Sequence, residues 1–255
     1  MNFRSLDLAN LNTATKYPSI LTYHGLGERG ALLEDGGVSF DEDVVVSEKI
    51  DGTNTRIIVA PDGEFIIGSR EELLHARGDL IHNPALGIVD AVRAMAERLA
   101  AQRRDPDFIV VYGEVYGGRV TAASQQYTGE RAFSFRLFDV CAVSREVIDR
   151  ERAAISSWRD QGGQAFVDEN ALALFSEEAG IPLAPRIRAT PPPKSIEDTF
   201  AWLKETLPVS LSTIDDGAKG EAEGVVVRSP TRSRIAKIRF QDYARHTRRQ
   251  QKRKP

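Results

Sequence analysis

Apolar residues follow two rhythms along this chain. Between Val44 and Gly68 they come in β-branched runs (VVVS, RIIVA, FIIG), broken by Asp51-Gly52 and by the turn sequence Pro61-Asp62-Gly63-Glu64. This predicts a strand, a sharp connection and a β-hairpin. After Asn83-Pro84, an N-cap and first-turn proline, the period changes, and Leu86, Val89, Val92, Met95 and Leu99 fall on one helical face. The segments FIVVYGEVYGG, from Phe108 to Gly118, and FSFRLFDVCAV, around Phe138, read as two further strands. From about Arg145 to Leu207 the pattern is helical, with Ile196, Phe200, Leu203 and Leu207 in register behind a Ser195 cap. Pro191 to Pro193 separate helices there without marking a domain linker, since both flanks stay apolar-periodic. EGVVVRSP and RIAKIRF add two short strands. Strands at both ends with helices between them predict an α+β fold.

Composition narrows this picture. At 255 residues and 41% hydrophobic content the chain fits one sizeable core. We expect one domain over residues 1–240, then a basic tail over 241–255 and no separate C-terminal domain. No run of about 18 apolar residues occurs, and MNFRSLDLANLNTATKY lacks the order of a signal peptide. The expectation is a cytoplasmic protein with no membrane association. The single cysteine, Cys141, excludes an internal disulfide framework and a Cys-only metal site. The four histidines are scattered and form no zinc pattern. A net charge of −3 does not mark a nucleic-acid binder, yet RHTRRQQKRKP, from Arg245 onward, carries six Lys or Arg and no acid. That segment reads either as a phosphate-pairing arm or as a disordered, solubilising tail.

Candidate chemistry lies where charge interrupts apolar strands. EKIDGTN, from Glu48 to Asn54, holds a lysine that could act as a nucleophile if burial and nearby cations lowered its pKa from about 10.4. Taken alone, such a stretch is ordinarily an exposed turn. Glu114 sits inside an uncharged strand, Glu223 opens another, and Lys237 and Arg239 alternate, so those two cations share a face and can meet one anion. Burying these charges is costly unless they meet one another, a ligand or a metal, which argues for a cleft built around a phosphate chain. Duller readings stay open beside this one: Phe138 as core, and Arg70 with Glu114 as a structural ion pair. Arg119 and Asp139 read as solvated or structural and are assigned no chemistry.

Taken in order, these segments resemble the nucleotidyltransferase motifs of polynucleotide ligases and mRNA capping enzymes, and most closely the RNA ligase 2 family, which includes the RNA-editing ligases. The match runs through Lys49-Ile50-Asp51-Gly52, Arg70, Tyr112-Gly113-Glu114, Phe138-Asp139, Glu223-Gly224 and Lys237-Ile238-Arg239, with KYPSI near the N-terminus like that family's opening. The resemblance implies an adenylation domain, with antiparallel sheets flanking a nucleotide cleft and helices around them. It implies that Lys49 forms a lysyl-AMP from ATP, that AMP passes to an RNA 5′-phosphate, and that this end is joined to a 3′-hydroxyl. In this scheme Ile50 belongs to the nucleotide site, Arg70 and Glu114 contact the ribose, Phe138 stacks on the purine, and Lys237 and Arg239 hold the phosphates. Glu223 binds Mg²⁺ or Mn²⁺. Glu48 faces the adenine amino group, favouring ATP over GTP, and Asn54 stands where RNA ligases of this family carry asparagine. An ATP-dependent DNA ligase and a nucleotide-binding module with a degenerate site remain as alternatives. The chain departs from the family at Arg239, where lysine is usual, and in the roughly 15 residues after Phe240, too few for a C-terminal nucleic-acid domain. A partner protein could supply that role.

Overall fold

A computed structural model describes residues 3–76, 79–80, 87–102 and 105–253. Two main sheets face each other. The larger has seven strands, in the order Ala165–Phe166, Phe133–Val143, Phe108–Gly117, Thr53–Val59, Phe65–Ser69, Leu73–Ala76 and Asp79–Leu80, every neighbouring pair antiparallel. The smaller has five, in the order Leu21–Thr22, Ile235–Arg239, Gly224–Arg228, Val45–Lys49 and Arg186–Arg188, with only the Leu21–Thr22 edge parallel to its neighbour. This is the α+β arrangement of antiparallel sheets and surrounding helices expected from the sequence.

The strand runs are continuously apolar because the larger sheet is covered on both faces. One face packs Ile57, Val59, Phe65, Ile67 and Val111 against the helix Ile88–Gln102 through Val89, Val92, Ala96 and Leu99. Met95 packs at the edge of that cluster; Asn83, Pro84 and Leu86 lie outside the described residues. The other face packs Ile58, Ile66, Val110 and Cys141 against the helix Leu8–Thr15. The smaller sheet buries Val46, Val225, Val227 and Ile238 under the helix Ile196–Thr206. Ser195 caps this helix, its hydroxyl accepting from the Asp198 N–H at 3.1 Å. Ser195→Ala should therefore lower stability by about 1 kcal/mol, measured by urea unfolding; no change would mean that water replaces the cap.

The chain crosses between the sheets at Ile50-Asp51-Gly52. Gly52 passes so close to the neighbouring strand that a Cβ there would stand 2.3 Å from the Val115 carbonyl oxygen. Only glycine lets the segment turn there, which fixes Lys49 at the end of its strand. Among the described residues no helix is long and apolar enough to cross a membrane.

Of the two readings left open for the C-terminal stretch, the described residues disfavour the disordered one: Phe240–Arg253 form a helix. Its inner side is anchored by Tyr243, buried, whose hydroxyl lies 2.6 Å from His24 Nδ1 and whose ring stacks on Phe200 at 5.8 Å. Arg and Gln are good helix formers, so one buried aromatic with tertiary contacts is enough to order the segment.

Candidate functional site

A cleft of about 400 Å³ opens between the two sheets. Strand alternation decides what faces it. On Val45–Lys49, Ser47 and Lys49 point to the cleft, as does Lys237 from two strands away, while Val46 points to the opposite side. The Lys49 ammonium donates to Glu223 Oε2 at 2.6 Å, with both side chains largely buried. Burial raises the Glu223 pKa, and the charge of Lys49 holds it back.

Glu114 completes this centre from the other sheet. Its Oε1 accepts from the Gly52 N–H at 3.2 Å. Burial pushes its carboxyl up to about 8, Lys49 opposes the shift, and the negative charge of Glu223 adds to it. Lys237 is pushed the other way, below the usual lysine range, by burial first and then by Arg239 and Lys49. Around Lys49, burial thus raises the carboxyls of Glu114 and Glu223 and lowers the ammonium of Lys237. The arrangement suits an anion with several charges arriving beside a nucleophile.

Phe138 reaches the cleft by strand alternation, on the same face as Arg136, and sits at a β-bulge. The pairing with Phe108–Gly117 slips between Leu137 and Asp139, so Phe138 is left without an opposite residue. Leu137 keeps to the core, while Phe138 lines the cleft with its ring edge-on to Tyr17 at 5.0 Å and 70°. Ile50 is buried against Tyr116 and Tyr127, and the Asp51 N–H donates to the Tyr127 hydroxyl at 2.6 Å. Asn54, cross-strand from Glu114, has a buried Oδ1 with no hydrogen-bond partner, an acceptor open to a donor in the cleft. Arg70 stands half-exposed at the cleft edge, donating to Ser19 Oγ at 3.0 Å. It pairs weakly with Glu71 at 3.7 Å, so the alternative of an Arg70–Glu114 ion pair is not realised.

Two expected site residues are placed differently. Glu48 does not present its carboxylate to the cleft. It accepts from Ser210 Oγ at 2.5 Å, from Ser212 Oγ at 2.7 Å and from the Leu211 N–H at 3.0 Å. Glu48 is among the residues that line the cleft, but its carboxylate anchors the 210–212 loop, which counts against its reading as the group facing an adenine amino. Arg239 is likewise engaged. Its Nε and Nη2 bind the two oxygens of Asp242 at 2.8 and 3.1 Å, and it is not among the cleft-lining residues. Lys237 therefore lines the cleft, while Arg239, near enough to lower the Lys237 pKa, has its guanidinium held by Asp242.

The sequence reading also missed a buried charge network under Phe138. Asp139 accepts from Arg228 Nη1 at 3.2 Å, Arg232 Nε at 2.8 Å and Tyr17 Oη at 2.7 Å, and Glu169 binds both Arg228 and Arg186. Arg186 and Arg228 line the cleft. The available signal was the same one that drew attention to Glu114: a charge inside an apolar run, here in LFDVC and VVVRS. Nothing in the sequence marked Ser210 and Ser212. Arg119, by contrast, is exposed, and Asp139 is structural, within the alternatives drawn from the sequence.

The sequence model of the RNA ligase family matches residues 42–239, which span every element that lines the cleft except the Tyr17–Ile20 segment. No curated protein sequence matches the chain. Among solved structures the fold is similar to an archaeal ATP-dependent RNA ligase, at 18% identity and a TM-score of 0.54, over 89% of this chain and 49% of that one. It is also similar to a Naegleria gruberi RNA ligase variant with ATP and Mn, at 14% identity and a TM-score of 0.54, over 93% of this chain and 63% of that one. An apo variant of the Naegleria ligase gives 15% identity and a TM-score of 0.55, over 90% and 63%. At these identities the likeness is one of fold, and this chain spans from about half to just under two thirds of those proteins.

Proposed function

This chain belongs to the RNA ligase family, and from its cleft we propose that it is an ATP-dependent RNA ligase that carries AMP on Lys49. The observation that carries this reading is the placement of Lys49 Nζ, 2.6 Å from Glu223 Oε2 in a cleft shared with Glu114, Lys237 and Phe138. Lys49 Nζ attacks the α-phosphorus of ATP: a P–N bond forms, the P–O bond to pyrophosphate breaks, and the ammonium loses two protons on the way to the phosphoramidate N–H, one to the Glu223 carboxylate to free the attacking lone pair and one to the departing pyrophosphate. Glu223, its pKa already raised, is the acceptor in contact. Lys237 offsets the charge that builds on the phosphate oxygens, and Phe138 supplies a ring face for the base. The AMP then passes to an RNA 5′-phosphate, and attack by a 3′-hydroxyl releases it and seals the strand.

Mg²⁺ or Mn²⁺ fits this site in the manner of phosphate-bound divalent ions. Among the described residues no group of three or more His, Cys, Asp or Glu could hold a metal unaided, but such ions are commonly held by one or two carboxylates together with substrate phosphates. Glu223 would be that carboxylate. The ion would neutralise charge on the departing pyrophosphate. The Naegleria protein with ATP and Mn makes that nucleotide and metal class the first to try.

Intact-mass measurement after incubation with ATP and Mg²⁺ should show one added AMP per chain, mapped to Lys49, with no adduct on a folded Lys49→Ala variant. An unchanged wild-type mass with either metal, or an adduct on another lysine, sinks the proposal. Sealing is then read on nicked duplexes differing only in ribose or deoxyribose at the 3′-hydroxyl. Faster joining of the ribose nick is expected, and equal rates would make the enzyme a DNA ligase.

A further inference from the structure

The helix Phe240–Arg253 follows directly on the strand that carries Lys237, and its two sides differ sharply. The inner side is fixed to the fold by Asp242, Tyr243 and His246: Asp242 holds Arg239, Tyr243 meets His24, and the Leu32 N–H donates to His246 Nδ1 at 3.3 Å. The outer side carries Gln241, Arg245, Arg248 and Arg249, which line one shallow groove. Their spacing of i, i+4, i+7 and i+8 makes a single face about 12 Å long. Among the described residues Arg248 and Arg249 form no ion pair, and Arg245 has only a 3.9 Å approach to Asp242, which Arg239 already occupies. From Arg245 onward the sequence holds six Lys or Arg and no acid, in a chain whose net charge is −3.

We infer that this arginine face is an RNA-binding surface that takes the phosphodiester backbone of the strand being joined. The inference rests on the RNA ligase reading above and extends it to a surface outside the cleft. A flexible solubilising tail has no need of a fixed orientation; here a buried tyrosine and a histidine hold three guanidinium groups outward in one row. Guanidinium matches phosphate through paired N–H donors, which suits arginine better than lysine at such a surface. The row also begins just after the strand that carries Lys237. Asp242 joins its first arginine, Arg245, to Arg239 at the end of the Lys237 strand. The contact carries no base information, so binding should be tolerant of sequence.

The test is a salt titration of binding to a fluorescein-labelled, 5′-phosphorylated single-stranded RNA, with AMP adduct formation measured on the same preparations. The triple variant Arg245→Gln, Arg248→Gln, Arg249→Gln keeps helix propensity and should bind at least ten-fold more weakly near 0.1 M salt. Its slope of log affinity against log salt should be shallower by about 2, the sum of three lost phosphate contacts. Arg→Lys at the same three positions should retain most of the slope. AMP loading on Lys49 should stay at the wild-type level in both. An unchanged slope in the glutamine variant, with normal loading, overturns the surface and leaves the ligase reading standing. Wild-type protein that neither loads AMP nor binds RNA overturns that reading, and this one with it.

Discussion

Replacing Asp139 by alanine should cost about 3–5 kcal/mol of folding stability, the range expected when one partner of a buried ion pair is removed. Asp139 is only 1% exposed, and its neighbours Arg228 and Arg232 are 4% and 7% exposed. It is the shared acceptor for both guanidinium groups and for Tyr17 Oη. Arg228 would keep Glu169 and the Phe138 carbonyl, but Arg232 would keep only the Tyr17 hydroxyl and the face of Phe166 at 4.5 Å. The loss should appear as a lower urea midpoint with an unchanged m-value. Because Tyr17 and Phe138 form one wall of the cleft, ATP binding should weaken as well. A loss below about 1 kcal/mol would mean that water reaches the two arginines and that the network is not sealed.

This network separates what could be read from the sequence from what could not. The strands, the helix bearing Val89, Val92 and Leu99, and the Ser195 cap were legible because each rests on local spacing and local capping chemistry. The members of the cleft were legible for a different reason: Lys49, Glu114, Glu223 and Lys237 are charges inside apolar strands, and the fold brings them together. The engagement of Glu48 was not legible, because its carboxylate meets a loop more than 160 residues away. The partners that changed the reading of Glu48 and Arg239, namely Ser210, Ser212 and Asp242, lie in segments without periodicity or motif. Their roles depend on tertiary placement alone. The C-terminal helix was hidden for a related reason: its buried anchors are Asp242 and Tyr243, and a single buried apolar position makes no pattern. The bulge beside Phe138 is signalled by no residue type in FSFRLFDVCAV, although alternation with Arg136 already sets its face.

The isosteric change Glu114→Gln should make the protein more stable than the wild type, by an amount that grows with pH. The Glu114 carboxyl is held at about 8 in the folded protein against 4.5 for an unperturbed glutamate, with burial as the main cause. Below about pH 4.5 the group is protonated in both folded and unfolded chains, and the two proteins should differ little. Between 4.5 and 8 the unfolded wild type releases this proton while the folded protein keeps it. The folded state then binds more protons, so wild-type stability falls as pH rises through that window. Above about 8 the folded protein ionises too and the difference levels off. A full shift at 1.36 kcal/mol per unit is the upper limit; with the group at the wall of an open cleft, we expect about 2–4 kcal/mol. Glutamine keeps the carbonyl that accepts from the Gly52 N–H, so the backbone turn beside Lys49 should persist. Glu223 also has a raised pKa, but it is present in both proteins and cancels to first order in the comparison. Urea unfolding of the two proteins at pH 5, 6.5 and 8.5 reads the effect directly. A stability difference that stays constant across these three values would mean that Glu114 is ionised at neutral pH, with its charge carried by Lys49.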